Sequence, residues 1–469
     1  MNSQTARSAP PNGASHPSSA LESDLARLHE ERKATSAQIG RAKASGADAS
    51  ELIARCKELS DQIKDLEANL QAPQEAAEES DRERPQDWSV EFATETAQFE
   101  ALRQDWRELI ARAAPAPPFM QWEWLFPWWQ QFGHNKRLRI VTLRDRAGGV
   151  IAIAPMMVGM VQKRLEPRTL AFLGSGVEGP RGQGFRVLAR AGDEAPAFSR
   201  TWQALDAGDD DWELLRMWKV HDDCVTWESV AEATRIAGAG VLVEPAERAV
   251  CGPLLGDYEQ FLASVPSKVE RNLLRNQHDK LGGKYQSVES GICASAQEQR
   301  DVVEQIMAFS RVRQRHLGKV SAWENPQDRE CLIQATEHLL GVGQARIAYL
   351  KLDKKLVAGI VAMVSGKTLY VFAPSFDMAF GRDNVMHALY SGLFRQAAAE
   401  GLERLDWLSD HAYQRKITQG ERHLLSIDVY RRPGAGFERA ARRLWWRSLR
   451  RRVKAALQSR GASRTSTDG

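Results

Sequence analysis

The sequence predicts an α/β (α+β) protein in which an α-helical hairpin precedes two related lobes, each with a mixed, largely antiparallel sheet. Apolar residues recur at alternating spacings of four and three within residues 21–70, as in two paired helices. A helical pattern followed by three apolar strands occurs within residues 118–173 and recurs within residues 326–373. We interpret the recurrence as an internal duplication.

Composition argues against several classes of protein. A chain of 469 residues favours two or three domains, and a formal net charge of +3 argues against nucleic-acid binding by the whole chain. The five cysteines show no CxxC spacing, so we expect neither a zinc site nor a disulfide framework. Residues 1–17 lack the apolar region of a signal peptide, and no apolar run has the roughly 18 residues of a spanning helix. The sequence therefore predicts a soluble, cytoplasmic protein.

Composition also divides the chain into six segments. The predicted segments are disorder at 1–20, the helical hairpin at 21–70, a linker at 71–87, a first lobe at 88–255, a second lobe at 256–432, and a basic amphipathic helix with a tail at 433–469. The hairpin is predicted to be self-contained or to make coiled-coil contacts. Within the last segment, residues 437–457 combine many arginines with Trp445 and Trp446. Such a helix could lie on the inner face of an anionic membrane, contact nucleic acid or dock on the rest of its own chain, and we expect attachment to the membrane surface or to a partner.

Two segments of the first lobe invite a functional interpretation. The stretch Phe119 to Phe132 is heavily aromatic and contains Pro127. A buried core helix explains it better than a substrate platform, because large apolar side chains at this density usually pack inside. The glycine-rich stretch 174–184 follows a strand, but its spacing fits neither a P-loop nor GxGxxG. It is more consistent with a connection or a cleft wall than with a phosphate-binding loop.

The stretch from Ala345 to Lys416 carries most of the functional argument. Three predicted strands at 345–352, 356–364 and 368–373 form an antiparallel meander. A helix from Asn384 to Glu400 comes next, and a short strand, Leu405 to Leu408, runs into a polar segment. Polar residues at the end of a buried strand indicate a site.

The span from about Phe119 to Arg431 resembles tandem acyltransferases of the GNAT superfamily, in particular the CelD-like group associated with cellulose biosynthesis, which is related to Fem-type aminoacyl transferases. The motifs that carry the resemblance are Phe119-Met-Gln-Trp-Glu-Trp-Leu125, Leu170-Ala-Phe-Leu-Gly-Ser-Gly176, Ser267-Lys-Val-Glu-Arg-Asn-Leu-Leu-Arg275, Val357-Ala-Gly359, Phe376-Asp377 and Asp406-Trp-Leu-Ser-Asp-His-Ala-Tyr-Gln-Arg-Lys416. The resemblance implies that acetyl-CoA or another acyl-CoA binds where two neighbouring strands splay apart, with its pyrophosphate at a helix N-terminus.

The resemblance also implies a set of donor-binding residues at the start of the 384–400 helix. These residues are Arg382, Asp383, Asn384 and His387. The superfamily's glycine-rich loop is reduced here to one glycine, in Gly381-Arg-Asp-Asn-Val385. Arg382 could contact a phosphate, or it could be an exposed arginine of a turn.

The catalytic residues implied by the resemblance are Asp410, Tyr413 and Lys416, because they come directly after the last strand. Acyl transfer needs an acid for the leaving thiolate and a base for the acceptor. Tyr413 would be the general acid, and Asp410 the base or a substrate anchor. Alternatively, Asp410 and Lys416 form a structural pair.

Acceptor-binding residues are predicted on the basic helix that begins near Ser267 and in a loop of the second lobe. Lys268, Arg271 and Arg275 would hold an anionic acceptor or a phosphate, or would form a solvated face. Trp323 lies in a loop that would cover the cleft. No metal site is predicted.

The function implied by the resemblance is acyl-CoA-dependent N- or O-acyl transfer in polysaccharide or cell-envelope metabolism, onto a small molecule or a glycan precursor. Two alternatives stay open: transfer from aminoacyl-tRNA, as in Fem-type proteins, and a non-catalytic scaffold that recruits partners.

Overall fold

The computed structural model describes scattered residues between 27 and 62, and residues 87–446 apart from 160–166, 177, 209–211, 223–237, 255 and 435. The chain divides into two compact units, Met1–Arg84 and Pro85–Gly469. The predicted disorder at 1–20, nearly all of the predicted linker and the C-terminal stretch after residue 446 lie outside the described residues.

The N-terminal unit contains two helical stretches that pack on each other. Its described residues between 27 and 38 and between 54 and 62 are helical. Leu28 and Leu59 bury their side chains together, and Arg55 lies 3.9 Å from Glu31. Contacts between the two stretches confirm the predicted helical hairpin.

The described residues of the main unit form one continuous sheet of 13 strands, ordered β1-β2-β3-β4-β6-β13-β7-β12-β11-β10-β9-β8, with β5 paired to β3. The strands are β1 Ser89–Ala93, β2 Lys136–Arg144, β3 Val150–Gly159, β4 Thr169–Phe172, β5 Leu188–Ala189, β6 Leu214–His221, β7 Gly240–Pro253, β8 Val288–Ile292, β9 Ala345–Leu352, β10 Lys355–Ser365, β11 Thr368–Phe376, β12 Arg404–Asp406 and β13 Glu421–Tyr430.

Helices flank this sheet throughout the described part of the main unit. They are α1 Thr96–Ala101, α2 Arg103–Arg112, α3 Trp122–Phe132, α4 Glu194–Ala207, α5 Tyr258–Ser264, α6 Lys268–Gly282, α7 Ala296–His316, α8 Pro326–Gly341, α9 Val385–Ala399 and α10 Ala412–Ile417. Residues 436–446 are also helical, in agreement with the start of the predicted basic helix. No helix among the described residues is long and apolar enough to cross a membrane.

The two halves of the sheet have the same plan. In each half an antiparallel meander ends in a strand that pairs in parallel with the next one: β4 with β6 in lobe 1, and β11 with β12 in lobe 2. The prediction of two GNAT-like lobes with mixed, largely antiparallel sheets is therefore confirmed. We keep the names lobe 1 and lobe 2 for residues 88–255 and 256–432.

One strand crosses between the lobes. β13 comes after lobe 2's other strands in sequence, yet it lies between β6 and β7, and Ile427 pairs with Met217 on one side and with Val243 on the other. The end of β7 in turn pairs with β12. The lobes therefore share a sheet without an edge between them, which spares each lobe an exposed strand edge.

Aromatic packing joins the lobes as well. The helix α3 is buried almost throughout, and its Trp124 ring lies 5.2 Å from the ring of Phe372 on β11. Phe119, just before α3, lies 5.8 Å from the same ring. The interpretation of this aromatic segment as core is confirmed, because these rings bury large apolar areas between the lobes.

Candidate active site

The parallel pair of lobe 2 separates after three residue pairs. Thr368, Leu369 and Tyr370 of β11 stand opposite Arg404, Leu405 and Asp406 of β12. The chain beyond Asp406 then runs along β7 instead: the Trp407 N–H donates to the Val250 carbonyl at 2.9 Å, and the Val250 N–H donates to the Ser409 carbonyl at 2.9 Å. The second half of β11 is therefore left without β12 beside it, which is the splayed arrangement that the resemblance implies.

A bulge lies on β11 at the point of separation. Val361 of β10 pairs with Ala373, while Ala362 pairs with Val371, so Phe372 is the extra residue. A bulge twists its strand and re-aims the neighbouring peptide groups. The region from Phe372 to Pro374 is half-buried, whereas the start of β11 is buried. We call the space between residues 371–376 and 407–413 the cleft.

Tyr413 of α10 stands on the far side of the cleft from β11. Its ring packs edge-on against Trp407 at 5.9 Å and lies parallel to His411 at 6.0 Å. The Gln414 side-chain amide donates to its hydroxyl at 3.3 Å. The side chain is 38% exposed although it rests on a buried indole. Tyr413 thus combines a packed ring with a partly exposed side chain.

Tyr390 of α9 lies beneath Tyr413, and it was not predicted from the sequence. Its side chain is 3% exposed, and its ring packs edge-on against Trp407 at 5.1 Å. Burial, reinforced by the neighbouring hydroxyl of Tyr413, raises the pKa of Tyr390 well above its ordinary value. A tyrosine on the helix after β11 was the only signal available in the sequence.

Arg313 near the end of α7 completes the set, and it too was not predicted. Its guanidinium lies 5.8 Å from the centre of the Phe376 ring on β11. Its positive charge also acts on Tyr390, where it opposes the rise in pKa. Arg313 therefore places a positive charge between the end of β11 and the tyrosine pair.

Asp410 is engaged by arginines rather than directed at the cleft. The Arg415 guanidinium donates to both of its carboxylate oxygens, at 2.6 and 2.8 Å, and lowers the pKa of Asp410. Arg248 lies 3.8 Å away. A carboxylate so stabilised in its charged form is a poorer base. The predicted partner Lys416 is exposed, and its backbone carbonyl accepts from the Ser267 N–H at 3.2 Å.

Two of the four predicted donor-binding residues at the start of α9, Asp383 and His387, contact other parts of the chain. Asp383 accepts from Lys284 at 2.5 Å and from Tyr285 at 2.6 Å, and Lys284 lowers the pKa of Asp383. His387 lies 2.6 Å from Glu270. Asn384 adopts a left-handed conformation with φ +48°, and Arg382 is exposed.

The remaining predicted acceptor-binding residues lie on α6 and in the segment before α8. Lys268 is exposed at the first turn of α6. Arg271 donates to the Val265 carbonyl at 2.7 Å, and Arg275 pairs with Glu259 at 2.8 Å, so both make local contacts. Trp323 differs from the prediction, because it is buried in the core beside α7 and α8 rather than lying in a loop over the cleft.

The equivalent gap in lobe 1 is filled by the chain itself. β4 and β6 also pair over three residues, from Thr169 with Leu214 to Ala171 with Arg216. Beyond them, the Gly184 N–H donates to the Lys219 carbonyl of β6 at 2.7 Å. A Cβ at Gly184, where φ is +75°, would lie 2.6 Å from the His221 ring. The glycine-rich stretch is therefore a plug, in agreement with the interpretation as a connection or wall.

Two family models match the chain, and no curated protein matches it. Residues 268–416 match the acetyltransferase (GNAT) domain, and residues 18–80 match the seryl-tRNA synthetase N-terminal domain. The first match covers α6 to α10, and with them the cleft and the pair Tyr390 and Tyr413.

Three solved structures are similar to the chain at low sequence identity. The crystal structure of FemX is 11% identical with a TM-score of 0.51, over 72% of this chain and 96% of that one. The C-terminal domain of a putative lysylphosphatidylglycerol synthetase from Agrobacterium fabrum is 13% identical with a TM-score of 0.44, over 74% and 96% of the two chains. A tandem GNAT protein from the clavulanic acid biosynthesis pathway is 13% identical with a TM-score of 0.40, over 74% and 100%. Lobe 2 is thus similar in sequence to GNAT acetyltransferase domains, and the main unit is similar in fold to FemX.

Proposed function

We propose that the protein is an acyltransferase that moves an acyl group from a thioester donor to an amine or a hydroxyl. The observation that carries the proposal is the departure of residues 407–409 from β11, which leaves the bulged strand beside the tyrosine pair. Peptide groups of β11 that have lost β12 as a partner can bond an extended donor arm of the pantetheine type. Such an edge also holds the thioester carbonyl in one place.

The chemistry assigned to the chain is protonation of the leaving group. The acceptor nitrogen or oxygen attacks the thioester carbonyl and gives up its proton to solvent, the C–S bond breaks, and the sulfur takes a proton. Tyr413 is the proton donor in this proposal, because its side chain is partly exposed and the buried Tyr390 lies next to it. Asp410 is a structural anchor of α10 in this proposal, because Arg415 holds it.

The acceptor and its context come from the CelD-like resemblance. We place the reaction in the cytoplasm, with a small-molecule or glycan-precursor acceptor from polysaccharide or cell-envelope metabolism. Acyl-CoA is the simplest donor with the required thioester. The start of α9 fits the diphosphate of CoA poorly, however, because the carboxylates of Asp383 and Glu270 already stand there.

The test is thioester consumption by the purified full chain. Acetyl-CoA and longer acyl-CoAs are offered with a panel of amine and alcohol acceptors, and free thiol and acylated product are measured. We expect thiol release with at least one pair, and its loss in Tyr413→Phe. Absence of both thiol release and any thermal shift with every acyl thioester would overturn the proposal and favour the non-catalytic scaffold.

A second candidate uses aminoacyl-tRNA as the donor. Three observations favour it: the similarity of the fold to FemX, the match of residues 18–80 to a seryl-tRNA synthetase domain, and the carboxylates at the start of α9. Retention of tRNA in a low-salt gel shift, together with transfer of a labelled amino acid from charged tRNA, would establish it. Binding without transfer would leave thioester transfer as the better proposal.

A further inference from the structure

Exposed apolar side chains surround the open end of the cleft. The described large apolar side chains that are exposed in lobe 2 all belong to elements at this end: α6, the end of α7 and its following loop, the 3-10 helix after β11, and α10. They are Val269, Val312, Leu317, Val320, Met378 and Tyr413. Val320 is 87% exposed and Val269 is 67% exposed. We call the segments 268–271, 311–320, 378–383 and 412–416 the cleft rim.

The elements of the cleft rim are placed at one end of the sheet by their contacts. Arg313 of α7 stands over Phe376, the last residue of β11. The Ser267 N–H before α6 donates to the Lys416 carbonyl of α10. Glu270 of α6 reaches His387 of α9, directly after the 3-10 helix. These contacts bring α6, the end of α7, the start of α9 and α10 to the end of the sheet where β11 ends.

The cleft rim is also positively charged. Lys268, Arg313, Lys319, Arg382 and Lys416 make no ion pair within the part of the chain that the structure describes. The two carboxylates of the rim are different, because each already has a partner in the chain: Glu270 lies 2.6 Å from His387, and Asp383 pairs with Lys284. The rim thus presents unbalanced positive charge among apolar side chains, a combination that suits an acidic protein surface with an apolar centre.

The residues at the start of α9, inside the rim, also favour a donor that is carried by a protein. A carboxylate at the N-terminal end of α9 takes the place where the helix dipole would favour a phosphate. The N–H of Ala379 in the 3-10 helix is used by the Asp377 carboxylate at 3.0 Å. A donor recognised outside the cleft, by a protein that carries it, needs no diphosphate cradle there.

We propose that the cleft rim docks a small acidic carrier protein that presents the acyl group as a thioester on a phosphopantetheine arm. This inference rests on the proposed function and names its donor. A nucleic acid is a poorer fit, because RNA is held by aromatic stacking and phosphate contacts, whereas the rim exposes mainly aliphatic side chains. A lipid surface is a poorer fit because the rim contains no Trp, and its one Phe, Phe380, is half-buried beside the Tyr285 ring at 6.2 Å.

The experiment measures binding of the full chain to a fluorescently labelled bacterial acyl carrier protein in its apo, holo and octanoyl-loaded forms. Anisotropy should show saturable binding that weakens with salt, and octanoyl-loaded carrier should be consumed more efficiently than octanoyl-CoA. The double variant Lys319→Glu with Val320→Asp should bind roughly tenfold or more weakly. Both side chains are exposed, so the fold is not expected to change.

The matched control is Lys367→Glu. Lys367 lies in the turn before β11, at the other end of that strand, and its exposed pair with Glu403 contributes little to stability. We expect affinity within roughly twofold of the original chain, because a charge at that distance is screened by salt. Equal losses in the control and in the rim variant would overturn the inference.

The remaining outcomes separate this inference from the proposed function. Consumption of octanoyl-CoA without carrier binding would overturn the docking surface and leave the acyltransferase. Rim-dependent carrier binding without consumption of any thioester would support the surface and contradict the acyltransferase. Binding of bulk tRNA or of phosphatidylglycerol vesicles that the rim variant abolishes, with no carrier binding, would overturn the inference in favour of those partners.

Discussion

Lobes 1 and 2 begin with the same strand arrangement and end differently. In both, a parallel strand pair holds for three residue pairs and then separates. Lobe 1 fills the resulting gap with Gly184 and its neighbours, whereas lobe 2 places the half-exposed Tyr413 beside it. The splay is therefore a property of the fold, while a loop of suitable shape decides whether a gap becomes core or site.

The plug of lobe 1 works because it reproduces the missing strand. Gly184 supplies the N–H that the Lys219 carbonyl needs, and Phe185 stacks parallel to Phe172 with ring centres 6.4 Å apart. The plug gives the peptide groups hydrogen-bond partners and fills the volume with side chains. Both effects stabilise a gap that water would otherwise occupy. In lobe 2 a ligand would have to bond the peptide groups and fill the volume, so the gap of lobe 2 is the candidate site.

The largest effect is expected from the buried ion pair that joins β12 to β13, the strand that crosses into the lobe 1 half of the sheet. Asp406 of β12 is buried and lies 2.5 Å from Arg422 of β13. Asp406→Asn should lower the free energy of unfolding by about 3 kcal/mol, because it leaves a buried charge poorly compensated. Urea unfolding should show one shifted transition if the lobes unfold together. Asp428→Asn, which breaks an exposed pair with Arg216, is the control and should cost less than about 1 kcal/mol. Two separate transitions would contradict the shared sheet as a cooperative unit.

The next effect concerns the open gap. Tyr413→Phe should lower the rate of thioester consumption about a hundredfold, since it removes the proton donor and keeps the ring packing. Asp410→Asn should change the rate by no more than a few-fold, because Arg415 already holds that carboxylate. Initial rates of thioester consumption, measured at a saturating concentration of donor, test both variants. A greater loss in Asp410→Asn than in Tyr413→Phe would restore Asp410 as the catalytic residue and make Tyr413 structural.

The plug of lobe 1 should respond in stability and not in rate. Gly184→Ala forces a Cβ against Pro117 and His221 in a left-handed backbone conformation, so we expect a loss of about 2 kcal/mol. Gly381→Ala in the matching loop of lobe 2 meets only the Phe376 ring at 3.4 Å and should cost little. Chemical unfolding and the rate per folded molecule test both variants. A loss of rate in Gly184→Ala would mean that lobe 1 takes part in the reaction.

The smallest effect is a pH dependence of stability from His221, the last residue of β6, which packs against the plug. Burial, with Arg422 and Arg186 nearby, lowers the pKa of His221 well below its ordinary value. In the unfolded chain this histidine takes up a proton near pH 6.5, whereas in the folded chain it stays neutral at that pH. The free energy of unfolding therefore decreases below pH 6.5, by up to about 1.4 kcal/mol for each pH unit. His338 also has a lowered pKa and contributes in the same direction. His221→Phe should flatten the dependence between pH 7 and about pH 5, as measured by urea unfolding. If the slope of unfolding free energy against pH is unchanged in this variant, groups other than His221 cause the pH dependence.

Much of the fold was predictable because its signals are local. The heptad spacing of the hairpin, the aromatic density of α3 and the three-strand meander of each lobe are patterns within a few dozen residues. Tyr413 was also within reach, since it comes shortly after the last strand of the meander unit. These predictions depend on periodicity and on chain order, and both are visible without a structure.

Tertiary structure decided the features that depend on partners far apart in the sequence. The position of β13 between β6 and β7, the contact of His387 with Glu270, and the placing of Tyr390 beneath Tyr413 join segments that no local pattern connects. Asp410 and Asp383 were predicted to act on ligands, but arginine and lysine side chains of the chain hold them. By itself, the sequence determined which elements form. Only packing determined which polar groups are left over for chemistry, because a side chain is available to a ligand only when the fold has not already satisfied it.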